Sequence, residues 1–393
     1  MKKIIASAVG LVMLGGVAVT TASAFESKFG GYWRTRAFSQ TDFNGVDSSY
    51  WRVDNRTRLY YTAIFNENFK FVNKFEFNTN WGDDVGGDIG SDGTGILRIK
   101  NSYADFTLGN VRTKLGIQGA AIARGFIFDD DFSGVVVDGN FGAVSPKFMW
   151  IRANGEYTSG AEIDEDIFAF LVPFKIGDMT SLNPYFVYHN AENSNEDYYI
   201  GIDADMNFDV VSGWGTFIYQ GGTTRDSDGD REIDSDNSAF LFAVGAKASI
   251  VHGQFFYATG NGSDFLGDDD NEQFAGVPGR SYYWAEILGL GMFDNTTSNG
   301  SPGNGISNIW AANVGVKIKP MDKLSLGADL WYAALAEDNV AGDDGLGTEL
   351  DLKAGYAIMD NLNLDVVFAY LFAGDATGDE DPMEIGARLS LKF

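Results

Sequence analysis

Residues 349–358 read Glu-Leu-Asp-Leu-Lys-Ala-Gly-Tyr-Ala-Ile, and the alternation in this stretch decides the fold. Leu350, Leu352, Ala354, Tyr356 and Ile358 fall on one side of an extended chain; Glu349, Asp351, Lys353 and Gly355 fall on the other. Successive side chains of a strand point to opposite faces, so this period of two marks a sheet with one apolar and one polar face. The pattern continues outward. Leu364, Val366, Phe368, Tyr370 and Phe372 oppose Asn363 and Asp365, and Ile385, Ala387, Leu389, Leu391 and Phe393 oppose Glu384, Arg388, Ser390 and Lys392. Far upstream, Trp51, Val53, Leu59, Tyr61, Ala63 and Phe65 oppose Arg52, Asp54, Arg56, Arg58 and Thr62. Helical periodicity is nearly absent.

The connections alternate as well. Eight are short, such as 66–68, 109–110, 177–179, 251–252 and 359–361; nine are longer and acidic, such as 39–49, 82–95, 122–132, 260–305 and 374–382. Seventeen connections join eighteen strands, with sixteen as the alternative count. An even strand number with short turns at one end and long loops at the other is the pattern of a transmembrane antiparallel β-barrel. Lys2 and Lys3, an apolar run from Ile4 to Val19 and Ala22-Ser23-Ala24 read as a cleaved signal peptide over residues 1–24, leaving 25–393 as one barrel domain. The exported chain has no further apolar run long enough for a spanning helix, so residence in a membrane requires a closed barrel. A soluble sandwich or propeller also alternates. The systematic difference between alternate connections, strands at both chain ends and aromatics crowding strand ends (Tyr332, Tyr356, Tyr370, Phe372, Phe393) argue for the barrel.

Composition narrows the function. The 393 residues hold 28 Lys+Arg against 55 Asp+Glu, a net charge of −27 that becomes −29 without Lys2 and Lys3. A nucleic-acid partner, which demands a basic footprint, is excluded. With no Cys there is no disulfide framework, thiolate catalysis or Cys-ligated metal. A hydrophobic content of 45% with 14% aromatics is too high for a disordered acidic chain. Enzyme signatures are lacking: only His189 and His252 are available, and neither G-x-S-x-G nor H-E-x-x-H occurs.

The run from Ile385 to Phe393 resembles the C-terminal signature of Gram-negative outer-membrane barrels, with Leu389, Leu391 and Phe393 as the assembly signal. The resemblance implies recognition by the barrel-assembly machinery and contact with outer-membrane lipid and lipopolysaccharide. Over 97–134, Tyr103-Ala104-Asp105-Phe106, Leu115-Gly116-Ile117-Gln118, Gly125 and Phe132-Ser133-Gly134 resemble a segment of the alginate-export and phosphate-selective porin groups, with Ile117 where members often carry Arg. Eighteen strands match the specific-channel porins better than the sixteen-stranded general ones. The resemblance implies a water-filled channel for small hydrophilic solutes, and such porins are often homotrimers.

Fifteen basic residues lie within 25–152 and eleven beyond it. Arg34, Arg36, Arg52, Arg56, Arg58, Arg98, Lys100, Arg112 and Lys114 share the polar faces of the first five strands. Facing lipid near the midplane, each would cost roughly 2–4 kcal/mol, so the lumen is their expected side. They read either as a basic ladder favouring anionic or carboxylate-bearing solutes or as braces paired with carboxylates such as Asp54. Asp329, Glu349, Asp351, Asp365 and Glu384 share the polar faces of the last strands, which closure brings beside the first, giving opposite charges on different walls. Two loops are expected to narrow the channel. One is 122–132, with Arg124, Asp129, Asp130 and Asp131, which by the porin resemblance folds inward. The other is 260–305, whose run Tyr282–Leu290, containing Tyr283 and Trp284, is too apolar for solvent and is expected to fold inward also. Asp226, Asp228, Asp230 and Glu232 resemble a calcium loop but lack a bidentate Glu at the twelfth place, where Asn237 stands; the other reading is a solvated acidic loop bridged loosely to lipopolysaccharide by divalent ions, with no cofactor otherwise. The competing function is a structural or adhesion barrel, or the sheath of an electron-transfer conduit, which requires an unobstructed lumen.

Overall fold

A computed structural model describes residues 25–43, 49–82, 97–158, 161–191, 195–227, 232–262, 270–293 and 305–393, without the side chains of 154–158, 161–163, 225–227 and 232–234. The expected signal peptide, 1–24, lies outside the described residues, as do Asp228 and Asp230 and the side chains of Asp226 and Glu232, the calcium reading.

Among the described residues, eighteen antiparallel strands follow one another around a closed barrel. They are β1 (Glu26–Thr41), β2 (Ser49–Asn66), β3 (Phe69–Asn80), β4 (Leu97–Leu108), β5 (Val111–Ile122), β6 (Phe128–Gly139), β7 (Lys147–Thr158), β8 (Ala161–Leu171, resuming as Phe174–Ile176) and β9 (Thr180–Ala191). The second half comprises β10 (Asn195–Phe208), β11 (Val211–Ser227), β12 (Glu232–Ala248), β13 (Val251–Ala258), β14 (Ile309–Met321), β15 (Leu324–Ala334), β16 (Gly345–Met359), β17 (Leu362–Ala373) and β18 (Met383–Lys392). Pro173 sits in the gap of β8, where a residue without an N–H interrupts the ladder; both pieces pair with β9.

The barrel closes by pairing β1 with β18, from Tyr32↔Lys392 to Thr41↔Met383. The last residue completes the seam. Gly31 N donates to Phe393 O at 2.6 Å and Phe393 N to Gly31 O at 3.1 Å, while the Phe393 ring fills the space a side chain at Gly31 would take. Leu391 and Leu389 stand opposite Trp33 and Thr35 in this register.

The alternation sorts the faces as expected over most of the wall. Phe29, Trp51, Phe170, Phe217 and Phe372 are exposed on the outer side, whereas Arg34, Arg36, Asp54, Glu349 and Glu384 are buried within. A closed antiparallel sheet satisfies its own backbone groups, which is what lipid requires. Two expectations fail locally. The turn expected at Val251-His252 lies at 249–250, with Ser249 at φ +54°, so His252 belongs to β13. Part of the inner face from β12 to β15 is apolar: Leu241, Ala243, Phe256, Ala258, Ile309, Ala311, Trp331 and Ala333 are all buried there. The strands are apolar on both faces at these positions because the long loop before β14 packs against them from inside.

Candidate functional site

Two inserts occupy the barrel. The first is the end of the β5–β6 hairpin. β4 pairs with β5 only as far as Ile117, and β7 pairs with β6 only from Ser133. Beyond those points Gln118–Ile122 and Phe128–Phe132 pair with each other alone. The hairpin therefore leaves the wall, carrying its backbone hydrogen bonds with it and exposing few unmet groups. The stretch expected to be a loop over 122–132 is thus mostly paired strand: Asp129, Asp130 and Asp131 lie on the returning arm, and only Ala123–Ile127 connect. Ala123, Arg124 and Gly125 at the tip have φ of +51°, +56° and +94°. At Gly125 a Cβ would overlap the Ser281 carbonyl, so glycine is what lets the second insert approach.

Arg124 crosses the lumen from this tip. Its Nη2 donates to Asp205 Oδ1 at 2.9 Å and to the Ala204 carbonyl at 3.2 Å on β10, and its Nε to Thr216 Oγ1 at 3.1 Å on β11. Arg124 therefore latches the hairpin to a wall five strands further round.

The second insert is the long loop before β14, described over 259–262, 270–293 and 305–308. Its apolar run lies inside the barrel: Trp284, Ala285, Ile287 and Leu288 are buried. Tyr282 stacks on Phe126 of the hairpin with centroids 3.8 Å apart, and Trp284 meets Phe256 and Trp331 edge-on at 5.2 and 5.0 Å. Polar anchors complete the attachment. The Glu349 carboxylate accepts from the Ile287 and Leu288 N–H groups, each at 2.8 Å. Lys353 Nζ lies 2.6 Å from Glu286 Oε1, Arg36 Nη1 donates to the Met292 carbonyl at 3.0 Å, and Phe293 stacks on Phe38 at 4.7 Å.

Between the hairpin and the first strands remains a cavity of about 470 Å³ lined by Arg58, Lys74, Lys100, Asp129, Asp130, Asp131 and Tyr283, among others. Two residues of the sequence-derived ladder, Arg58 and Lys100, thus face three of the expected constriction residues and the Tyr283 ring. Trp284 is instead packed into the core, and Arg124 serves as the latch.

The other ladder residues are distributed differently. Arg36 holds Asp54 with two bonds, 3.0 and 2.8 Å, and is buried together with Arg34. Arg52 bonds Asn80, and Arg56 Nε donates to Asn78 Oδ1 at 2.7 Å. Arg58 donates to Glu76 Oε2 at 2.7 Å while bordering the cavity, and Lys100 meets Asp131. Arg112 grips Asp105 at 2.7 and 2.6 Å, Lys114 stands over the Tyr103 ring at 5.9 Å, and Arg98 is exposed opposite Glu76. Most of these cations are braced by neighbouring acceptors. Lys74, absent from the ladder as read, lines the cavity because β3 alternates Lys70, Val72, Lys74 and Glu76 onto the inner face, a signal present in the sequence.

The acidic set is similarly engaged. His252 Nε2 lies 2.7 Å from Asp329 Oδ1, which also accepts from Asn313 at 2.9 Å. Arg388 Nη2 donates to Asp365 at 2.9 Å, and Gln40 donates to Glu384 at 2.5 Å across the closing seam. Glu349 clamps the inner loop, and Asp351 lies fully buried 3.8 Å from Lys353 Nζ. Glu349 and Asp351 thus lie beneath the loop, whereas Asp365 lines a separate cavity with Arg388, Lys319 and Lys323. Asp54 is a counter-ion as the bracing reading expects; Glu76, Asp105 and the loop anchor Glu286 lie beyond that reading, although strand register sets Arg36 opposite Asp54 and Arg58 opposite Glu76.

Comparison with solved structures finds the same barrel fold over nearly the whole chain. Pseudomonas aeruginosa OccK8 (OprE) is similar over 94% of this chain and 98% of its own, at 12% identity and a TM-score of 0.61. Acinetobacter baumannii OccAB4 matches over the same shares at 10% identity and 0.62, and P. aeruginosa OpdK with vanillate at 13% and 0.61. No family model and no curated protein matches the sequence. At these identities the likeness is one of fold: a closed antiparallel eighteen-stranded β-barrel.

Proposed function

We propose that the chain is an outer-membrane porin through which small hydrophilic solutes diffuse passively, entering past the cationic edge made by Arg58, Lys74 and Lys100. The observation that carries this reading is the 470 Å³ cavity, polar on both sides and set where the inserts narrow the lumen. Guanidinium and ammonium groups on one side and three aspartates on the other impose a transverse field, and selectivity in a pore follows the charges at its narrowest ring. Anions and carboxylate-bearing solutes are favoured along the cationic edge; OpdK, solved with the carboxylate vanillate, is a fold neighbour consistent with that class. The homotrimer, the assembly machinery and lipopolysaccharide contacts belong to the same reading. A sheath around a second protein is disfavoured because the chain's own loop fills the lumen beside β12–β15. No enzymatic activity is proposed.

Planar-bilayer recording of the purified protein tests the reading. Discrete open steps with a reversal potential displaced toward anions in a salt gradient are expected. Absence of open steps at neutral pH overturns the channel, and cation preference overturns the anionic solute class.

A further inference from the structure

A second cavity, about 450 Å³, lies between the inner loop and the wall formed by β8 to β12, apart from the passage beside Arg58. Its two ends carry opposite charge. At one end is Arg280 of the loop, whose Nη1 is buried without a hydrogen-bond partner among the described residues. Gly276 makes room for it: a Cβ there would lie 2.6 Å from Arg280 Cδ and 3.2 Å from Nη1. Burial depresses the Arg280 pKa below the ordinary arginine value, opposed by the nearby Tyr199 phenol, as expected for a guanidinium with no carboxylate beside it among the described residues. An uncompensated buried cation is costly, and its retention calls for an anion.

The other end is acidic. His189 Nε2 lies 2.8 Å from Glu165 Oε1, and its Nδ1 is 3.8 Å from Asp197 Oδ2. Asn237 Nδ2 donates to Asp197 Oδ1 at 2.6 Å and Gln220 Nε2 does so at 3.4 Å, fixing that carboxylate. Two carboxylates thus stand against a single imidazole at this end. The loop side is held rigidly to the wall: Tyr199 Oη donates to the Ala275 carbonyl at 2.8 Å, and Ala275 N donates to Gln220 Oε1 at 2.8 Å.

From this polarity we infer that the cavity is a binding site for a small zwitterion, an amino acid or one of its ω-amino homologues. The solute carboxylate docks on Arg280, and its ammonium faces Glu165 and Asp197. A simple carboxylate satisfies Arg280 but leaves the acidic end unanswered; a simple amine does the reverse. A planar guanidinium presents paired donors that match a carboxylate. The inference rests on the channel reading only for the solute's route into the barrel; occupancy itself is an equilibrium property of the folded protein.

The test is calorimetric titration of the full-length detergent-solubilised protein with glycine, 4-aminobutyrate and 6-aminohexanoate, against butyrate and butylamine as singly charged controls. At least one zwitterion is expected to bind tenfold or more tightly than both controls. Arg280→Gln should abolish that preference and Arg280→Lys should restore part of it, while Asp197→Asn should weaken the zwitterion and spare butyrate. Heat-modifiable gel mobility confirms that each variant retains the barrel. Equal binding of zwitterions and controls by the native protein, or an unaltered preference in folded Arg280→Gln, overturns the inference. Bilayer conductance is recorded on the same preparation: open channels without zwitterion binding reject the site alone, and binding without open channels rejects the channel reading alone.

Discussion

Arg124 and Asp205 are 81 residues apart and belong to different parts of the wall, yet the guanidinium of the first donates to the carboxylate of the second at 2.9 Å. The pair ties the tip of the inward hairpin to β10. Arg124 also lies over the Trp214 ring at 5.0 Å, so the contact combines charge with stacking. Asp205 is more than half exposed, so the ion pair itself contributes little, about 0.2–1 kcal/mol. Its consequence is positional. Arg124→Ala should leave barrel stability nearly unchanged but increase open-channel current noise and mean conductance in planar bilayers. An unaltered current trace would show that the aromatic contacts alone hold the hairpin.

The stack of Phe126 on Tyr282 joins the two inserts to each other. Phe126 is fully buried, and truncating such a ring costs roughly 3–5 kcal/mol. Because the contact is between inserts and not between wall strands, Phe126→Ala should loosen both together without unfolding the barrel. Faster diffusion of larger sugars into proteoliposomes, with heat-modifiable gel mobility retained, is the expected result.

Glu349 supplies both oxygens to backbone N–H groups of Ile287 and Leu288 while wholly buried. Glu349→Ala strands two donors at about 1–3 kcal/mol each. The inner loop should then become cleavable near 282–290 in limited proteolysis, at a protease level that leaves the native protein intact.

The cations divide into those that border the cavity, even where a carboxylate also holds them, and those packed away from it. Neutralising Arg58, Lys74 and Lys100 together with Gln should lower anion preference several-fold, more in dilute than in concentrated salt because exposed charges are screened. Neutralising Arg34 and Arg36 should leave selectivity nearly unchanged and cost stability, since Arg36 holds Asp54 and the Met292 carbonyl within the core. Reversal potentials in a salt gradient, paired with thermal gel-shift midpoints, separate the two effects.

Much of this molecule is written in its alternation. A period of two is local: each strand shows which side chains share a face, and turns of unequal length show which end is which. Glu349, Asp351, Glu384 and Arg36 could thus be assigned to the inner face, and eighteen strands counted, from residue types alone. The same rule failed where neighbours, not the strand, set the environment. Leu241, Phe256, Ala311 and Trp331 face inward despite being apolar, because a loop distant in sequence covers them. An acidic run such as Asp129–Asp131 reads as loop, yet hairpin pairing extends it beyond the wall.

Sequence by itself determined the closed β-barrel, its faces and its ends, because backbone pairing and side-chain alternation are short-range and repeat along the chain. Tertiary structure alone decided which charges are open. Arg36 and Arg58 occupy equivalent alternating positions and each holds a carboxylate, but Arg36 is capped by the Met292 carbonyl whereas Arg58 borders the cavity beside Tyr283. That difference arises from where two inserts come to rest inside the barrel, a matter of packing between segments far apart in the chain.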